Sequence, residues 1–210
     1  MKVQPIVEGH GDVNAVPVLL RRLLETARAF NIGVGKPIRR SQSELHTQTG
    51  IQKAVRLALL QPECAAILFI FDSEDSCPKE LAPTILEWAR QVAGSRPCSV
   101  VLAYREYETW FLAAIESLRG KCGIQDDAEF LPNYENLRGA KESLEKYMPR
   151  DRSYHETIDQ VKLTVHFDLS QAYNRSRSFR KLVKSVGDVI TVLGYPCVPW
   201  PPTNWAVVVS

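Results

Sequence analysis

The first sixty residues contain short apolar runs separated by segments with helical spacing. Residues 2–7, KVQPIV, are typical of a β-strand, and Pro5, which lacks a backbone N–H, favours an edge position or pairing on one side only. After two glycines, apolar residues recur every three or four positions from 13 to 27, which predicts a helix. A weak strand at 34–38 and a second helix at 51–60 follow. The N-terminus is therefore predicted to form a strand, a tight turn and a helix.

Two further strands are predicted beyond residue 60. The run AAILFIF at 65–71 is continuously apolar, as in a strand buried on both faces, and Pro78 then opens a helix. The segment SVVLAY at 99–104 predicts a fourth strand, followed by a helix at 110–118. This alternation predicts an α/β domain over residues 1–118, a mostly parallel sheet with helices on both faces.

The pattern changes after Gly120. Helices are predicted at 134–148 and 155–167, and a basic helical stretch lies within 170–193. The tail, GYPCVPWPPTNWAVVVS, contains too many prolines for a helix, although residues 205–209 could add an edge strand or serve in packing. Residues 119–210 are therefore expected to form an α-helical extension with a proline-rich tail.

Composition narrows the functional classes only slightly. The chain has 26 basic and 24 acidic residues, a net charge of +2, so attraction to nucleic acid would depend on local clusters. Five scattered cysteines without zinc-site spacing are expected to be free thiols. No charged and apolar leader and no apolar stretch of about 20 residues is present, so we expect a cytoplasmic protein without membrane contact.

Three predicted strands end in acidic side chains. These are Glu8 after the first strand, Asp72, Glu74 and Asp75 after the third, and Glu106 and Glu108 after the fourth. Because parallel strands end at one edge of their sheet, these carboxylates are expected to converge, and their repulsion calls for a cation or a shared proton. Mg²⁺, which binds one or two carboxylates together with water and phosphate, suits this arrangement. Glu8, on a separate strand, is placed to move a proton.

Each acidic segment also has a purely structural interpretation. The glycines around His10 permit a turn, and Asp12 or Asn14 can cap the helix that follows. Asp75 or Ser76 before Pro78 is good helix-start chemistry, while Glu106 and Glu108 can offset a helix dipole with Arg105 as an ion-pair partner. A single histidine is a poor metal-ligand signature, and His10 also fits an exposed turn. Both sets of interpretations remain open from these residues.

Basic residues form two candidate phosphate-contact surfaces. One comprises Arg175, Arg177, Arg180 and Lys181 with the neighbouring Lys184, and the other comprises Arg39 and Arg40 after the second strand. Tyr173 and Phe179 are interleaved with the first group. The alternative is that these charges form the solvated face of a helix whose buried side carries the two aromatic residues.

Four segments in order, VEGHGDVNAVPVLLRRLL, FIFDSEDSCPKEL, VVLAYREYETWFLAA and YHETIDQVKLTVHFDLSQAYNRSRSFRKL, resemble the DUF4276 family. The N-terminal part of that family looks like a Toprim domain. The resemblance implies that Glu8 is a general acid/base and that Asp72 is the first residue of an aspartate pair binding Mg²⁺ or Mn²⁺. The second position holds Glu74, with Asp75 next to it, and Glu106 and Glu108 match the acids after the fourth strand. Trp110 and Phe111 are expected to belong to the core.

The same resemblance implies a function. Toprim-like proteins of this kind include metal-dependent nucleases acting on DNA or RNA, often beside a partner ATPase, in defence or genome maintenance. The alternative is a nucleic-acid-binding or regulatory module that kept the fold without cleaving its ligand. The irregular metal pair supports this alternative, since Glu74 is one methylene longer than the aspartate expected there.

Overall fold

The computed structural model describes residues 1–132, 134, 138–195 and 198–205. In them, five strands form one sheet: β1 (Lys2–Val7), β2 (Gly33–Val34), β3 (Ile38–Arg39), β4 (Cys64–Asp72) and β5 (Cys98–Ala103). The helices are α1 (Asp12–Thr26), α2 (Gln42–Leu45), α3 (Gln48–Leu59), α4 (Pro78–Ala93), α5 (Thr109–Ala113), α6 (Ala140–Glu145), α7 (Val161–His166), α8 (Leu169–Arg175) and α9 (Arg177–Val192). A π-helix at Glu156–Gln160 precedes α7, and 3₁₀ turns lie at Ile115–Leu118 and Thr203–Trp205.

The sheet is parallel throughout. Its order is β2-β1-β4-β5, and β3 also pairs with β1, on the register Ile6 to Ile38. The predicted α/β fold is therefore confirmed. Because the strands run in one direction, the ends of β1, β3, β4 and β5 lie at the same edge of the sheet.

Helices cover both faces of the sheet, and the alternation along each strand separates two cores. Along β4, Leu68 and Ile70 enter the core beneath α1, α5, α7 and α9, whereas Phe69 and Phe71 enter the core beneath α3 and α4. All four of these side chains are almost completely buried. The continuous apolar run of β4 is thus explained by burial on both faces.

Pro5 does not mark an edge strand, so the edge position was wrong, whereas the alternative, pairing on one side only, holds at Pro5 itself. β1 lies inside the sheet, with β4 on one side and the two short strands β2 and β3 on the other. The carbonyl oxygens of Val3 and Val7 accept hydrogen bonds from Gly35 and Arg40 on the β2–β3 side. Because backbone groups point to alternate sides along a strand, the backbone of Pro5 also faces this side, at the gap between β2 and β3. The Gln4 side chain bonds the Lys36 carbonyl there. A proline is tolerated because no ladder donor is needed at the gap.

The helical extension shares the first core with the sheet. α9 packs on β5 and α7 on α1, and buried residues such as Phe167, Phe179 and Leu182 contact the same cluster as Trp110. The domain boundary at residue 118 stays a prediction, but the two regions do not have separate cores.

Several predicted elements of the extension differ in length. The helix expected at 134–148 is α6 alone among the described residues, and the helix expected at 155–167 is the π-helix followed by α7. The basic stretch divides at Ser176, whose hydroxyl caps α9 by accepting from the Phe179 N–H at 3.2 Å. Trp205 lies in a 3₁₀ turn, and residues 206–209 of the predicted tail strand fall outside the described residues.

Two further expectations concern cysteines and the membrane. Cys64, Cys77, Cys98 and Cys122 are free thiols, and Cys197 falls outside the described residues. Among the described helices, none combines the length and apolar character that a membrane span requires.

The glycine turn after β1 packs closely against the π-helix. A Cβ atom at Gly11 would lie 2.8 Å from the Glu156 carbonyl oxygen and closer still to the Gln160 side chain. Gly11 has an ordinary helical φ of −65°, so the requirement for glycine is steric and not conformational. The first and last thirds of the chain therefore meet at this turn.

We expect Gly11→Ala to destabilise the fold by about 1–3 kcal/mol, because the π-helix backbone must move to admit the methyl group. Gly33→Ala is the matched control, since its Cβ would approach the flexible Lys2 side chain at 3.3 Å. Denaturant unfolding of both variants measures the difference. Equal stability of the two variants would contradict this packing argument.

Candidate active site at the carboxyl edge of the sheet

The loops after β4 and β5 remain joined beyond the ends of the strands. The Ser73 N–H donates to the Ala103 carbonyl at 2.9 Å, and the Glu74 N–H donates to the Arg105 carbonyl at 3.0 Å. The buried Ser73 hydroxyl accepts from the Arg105 N–H at 2.8 Å. The Tyr107 N–H donates to Asp72 Oδ1 at 2.8 Å, which fixes the orientation of that carboxylate. The acidic side chains of these loops are thus held on a rigid frame.

Glu8, at the end of β1, faces this frame. Burial, together with the negative charges of Glu74 and Asp12, raises its pKa to about 7, although Lys141 acts in the opposite direction. Its Oε2 atom is buried and makes no hydrogen bond among the described residues. Glu8 also contributes to raising the pKa of Asp72. The expected convergence of acids from β1 and β4 is therefore present.

Asp72 and Glu108, after β4 and β5, are two further acids of the cluster. Burial raises the pKa of Asp72 well above its usual range, and the charges of Asp12 and Glu108 raise it further. Glu108 is completely buried, and mainly for that reason its pKa is raised to about 7. Its Oε1 accepts from the Tyr154 hydroxyl at 2.7 Å, while its Oε2 makes no hydrogen bond among the described residues. This buried, unpartnered oxygen is costly unless a proton or a cation satisfies it.

Asp12 is a member of this cluster that sequence reasoning treated only as a helix cap. It is buried, and its carboxylate accepts from the Gly9 N–H at 2.9 Å and from Gln160 Nε2 at 3.0 Å. Burial is the main cause of its raised pKa. An acid directly after the glycine turn was the available signal, because it lies beside Glu8 in any strand–turn–helix arrangement.

Lys141 supplies a positive charge to the cluster and was not identified from the sequence. Its Nζ lies 2.7 Å from Glu156 Oε2. Burial acts to lower the pKa of Lys141, but the charges of Glu108, Glu156 and Asp72 outweigh burial and raise it. Lys141 is therefore positively charged and offsets part of the repulsion among the acids. No local sequence signal marks it, because it lies in α6, remote from every strand.

Glu106, one of the predicted site acids, has a different position. Its Oε2 accepts from the Lys141 backbone N–H at 3.1 Å, so it satisfies a free donor at the start of α6. Glu106 was expected to act at the N-terminus of the helix after β5. It does act at a helix N-terminus, but that of α6. Glu106 positions Lys141.

Glu74 and Asp75 lie on the exposed side of the cluster. Glu74 has a positive φ of 46° and accepts a hydrogen bond from the Gln42 side chain. Asp75 Oδ1 lies 3.5 Å from Arg105 and 3.4 Å from Arg138. Asp72, Glu74, Arg105, Arg138 and Lys141 contribute to the lining of an open cavity of about 340 Å³. The cavity therefore has both acidic and basic walls.

The metal implied by the family resemblance can be tested against these residues. Within the described residues, no three His, Cys, Asp or Glu side chains are arranged as a ready-made metal site. Mg²⁺ needs only one or two carboxylates when water and phosphate complete its shell, and Asp72 and Glu74 border the same cavity. The unpartnered oxygens of Glu8 and Glu108 also favour a nearby cation. The residues present fit one such ion.

The predicted basic residues separate into two groups. Arg175 pairs with Glu116 at 2.6 Å and lies over the Phe130 ring, and Arg180 donates to the carbonyls of Tyr173 and Asn174 at 3.0 Å. These two guanidinium groups therefore make contacts within the protein. Arg177 and Lys181 are exposed on α9.

Arg39 and Arg40 lie at the carboxyl edge itself. Arg39 is exposed and donates to the Glu8 carbonyl at 3.4 Å, while Arg40 Nε lies 4.0 Å from Glu44. His10 is exposed in the glycine turn. Trp110 and Phe111 are fully buried, as expected of core residues.

The raised carboxylate pKa values predict a stability profile that is opposite to ordinary acid denaturation. Folded Glu108 holds its proton up to about pH 7, whereas the unfolded side chain loses it near 4.5, so stability is greatest below 4.5 and falls as pH rises towards 7. The loss from Glu108 is about 3 kcal/mol. Glu108→Gln should remove that loss, since the amide oxygen still accepts from Tyr154. We expect a flatter profile and a higher melting temperature at pH 8.

Thermal unfolding in EDTA from pH 4.5 to 8 measures this effect. Glu87→Gln, at an exposed position of α4, is the control and should leave the slope unchanged. An unaltered slope in Glu108→Gln would show that Glu108 is ionised in the fold at neutral pH.

The chain was compared with protein families, curated proteins and solved structures, and only a family model matches it. Neither the curated proteins nor the solved structures contain a match to the chain. One family model, DUF4276, described as a domain of unknown function, matches residues 7–187, which include the end of β1, the acidic loops after β4 and β5, Lys141 and most of α9. The match covers most of the chain, and this protein therefore belongs to the DUF4276 family.

Proposed function

We propose that this protein is an Mg²⁺- or Mn²⁺-dependent phosphodiester-cleaving enzyme of the Toprim type, a nuclease acting in the cytoplasm. The observation that carries the proposal is the meeting of Glu8, with a pKa of about 7, and the strand-end carboxylate Asp72. A carboxyl group that is half protonated near neutral pH can both accept and donate a proton during a reaction. A purely structural turn has no need of such a group.

Glu8 would exchange a proton with the attacking or leaving oxygen of the phosphodiester. Its location supports this role, since it borders Asp72 without being fixed by a hydrogen bond to its Oε2. The neighbouring charges of Glu74 and Asp12 keep its pKa high in the absence of substrate. Cation binding near these acids would lower the pKa of Glu8 and shift it towards the basic form.

Asp72 and Glu74 would hold the metal ion, with Asp75 as the neighbouring alternative. When bound, the ion would polarise the phosphate and stabilise the leaving oxygen. Asp72 is suited to this role because Tyr107 holds one of its oxygens and the carboxylate borders the open cavity. The negative charge of Glu108, which accepts from Tyr154, raises the pKa of Asp72, and Glu106 positions Lys141 by accepting from its backbone N–H.

Contacts to nucleic acid would come from the carboxyl edge. Arg39 and Arg40 flank Glu8, and Arg177 and Lys181 offer additional exposed charge on α9. A partner ATPase and a role in defence or genome maintenance are included in the proposal because the Toprim resemblance implies them.

A second candidate function is a nucleic-acid-binding module that does not cleave. Two observations favour it: no three acids are arranged for a metal among the described residues, and Lys141 already offsets part of the negative charge. In that case the acids would shape the site and the arginines would bind the phosphates.

Metal-dependent cleavage distinguishes the two functions. Purified protein is incubated with plasmid and single-stranded DNA and RNA in Mg²⁺, Mn²⁺ or EDTA. We expect cleavage with a divalent ion only, and a loss of at least about 100-fold in Glu8→Gln and Asp72→Asn, the range typical of general acid–base groups. Both changes are isosteric, and the amide oxygen that Asp72→Asn introduces can still accept from the Tyr107 N–H.

Glu87→Gln again serves as the control, since it removes an exposed acid far from the carboxyl edge. Cleavage that survives both site variants would eliminate the proposed mechanism. Salt-sensitive binding without cleavage in any metal would support the binding module instead.

A further inference from the structure

Two arginines from distant parts of the chain meet at one exposed carboxylate. Arg105 follows β5 and Arg138 precedes α6, yet both guanidinium groups lie within 3.5 Å of Asp75 Oδ1. Both side chains line the 340 Å³ cavity that Asp72 and Lys141 also border. The pair therefore forms the basic wall of the candidate active site.

Arg105 is held in place by its backbone. It has a positive φ of 60°, which costs a non-glycine residue about 1–3 kcal/mol and needs support from its surroundings. That support comes from the Ser73 hydroxyl, which accepts from the Arg105 N–H, and from the Glu74 N–H, which donates to the Arg105 carbonyl. The side chain is 23% exposed, and its buried Nε makes no hydrogen bond among the described residues. A partly unsatisfied guanidinium, carried on a well-supported backbone, thus lines the cavity.

The contacts with Asp75 are too weak to explain this arrangement as a stabilising device. The Asp75 side chain is 77% exposed and that of Arg138 is 80% exposed, and both N–O distances are long for charge-assisted hydrogen bonds. Exposed ion pairs of this kind contribute between zero and about 1 kcal/mol. A better anion could displace Asp75 at little cost.

Arginine suits phosphate more than carboxylate at such a place. Its planar fork can donate two parallel hydrogen bonds to phosphate oxygens, and two forks facing one point can bind a single phosphate group. We propose that Arg105 and Arg138 form a phosphate-binding site, which Asp75 occupies until a phosphate group displaces it. The site lies beside Asp72, so a bound phosphate would be adjacent to the proposed metal position.

This proposal rests on the proposed function only for the identity of the ligand as nucleic acid. The phosphate could be a backbone phosphodiester or a free or terminal phosphate group. Both sources present the same phosphate chemistry to the two arginines, and competition between probes separates them.

Binding is measured by fluorescence anisotropy of a labelled single-stranded oligonucleotide in EDTA, where no cleavage can occur. We expect Arg105→Gln and Arg138→Gln each to weaken binding about tenfold, the loss of one charge-assisted contact. Asp75→Asn should strengthen binding several-fold, because the internal carboxylate no longer competes. Arg105→Lys, which keeps the charge without the fork, should be intermediate.

Two controls separate a specific site from a general change in charge. Glu142→Gln removes an acid that lines the same cavity without an ion pair to either arginine, and Arg90→Gln removes an exposed arginine of α4. Equal strengthening by Asp75→Asn and Glu142→Gln, or equal weakening by Arg90→Gln and the two site variants, would overturn the proposal. Circular dichroism confirms that each variant is folded.

The ligand source is resolved by competition. Inorganic phosphate that displaces the oligonucleotide, and does so more readily in Asp75→Asn, would assign the site to free or terminal phosphate. Competition by an unphosphorylated oligonucleotide, lost when its linkages are uncharged methylphosphonates, would assign it to the backbone. Absence of binding by either probe would overturn the proposal. Intact binding in EDTA without cleavage in metal would refute the nuclease function and leave this site standing.

Discussion

The crowding of carboxylates at the carboxyl edge of the sheet is the constraint on which the rest of this structure depends. Glu8, Asp12, Asp72 and Glu108 all have pKa values raised chiefly by burial, so each is costly to ionise. The backbone N–H groups of Gly9 and Tyr107 reduce this cost from within the first 118 residues, and the side chains of Lys141, Tyr154 and Gln160 reduce it from the extension. The extension therefore contributes a positive charge and side-chain donors to the acidic cluster.

The sheet and its acidic edge could be predicted because their signals are local or topological. The runs at 65–71 and 99–104 are unambiguous strands, and in a parallel sheet the strand order hardly matters for the meeting of strand ends. The error at Pro5 shows the limit of such rules. A missing N–H excludes pairing at one position only, and two short strands on either side of that position allow β1 to lie inside the sheet.

The contacts made by Lys141, Arg175 and Arg180 could not be predicted from the sequence, for a different reason. Lys141 reaches the acids because α6 begins beside Glu106 at the carboxyl edge, and no periodicity in the sequence indicates that position. On the basic helices, the pattern of charge is the same whether an arginine faces water or a carbonyl. Arg175 and Arg180 occupy positions that look solvated in the sequence, yet both hold the ends of neighbouring helices.

The more buried and the more exposed carboxylates at this edge suggest different roles for the two groups. Half-buried Glu8 and fully buried Glu108 have pKa values of about 7, and burial raises the pKa of Asp72 well above its usual range, whereas exposed Glu74 and Asp75 border the cavity. On the proposed function, Asp72 and Glu74 would hold a divalent ion, whose positive charge would relieve the repulsion among the acids and favour the ionised form of Glu8. The same charge would compete with Arg105 and Arg138 for Asp75, which would leave both arginines available to phosphate.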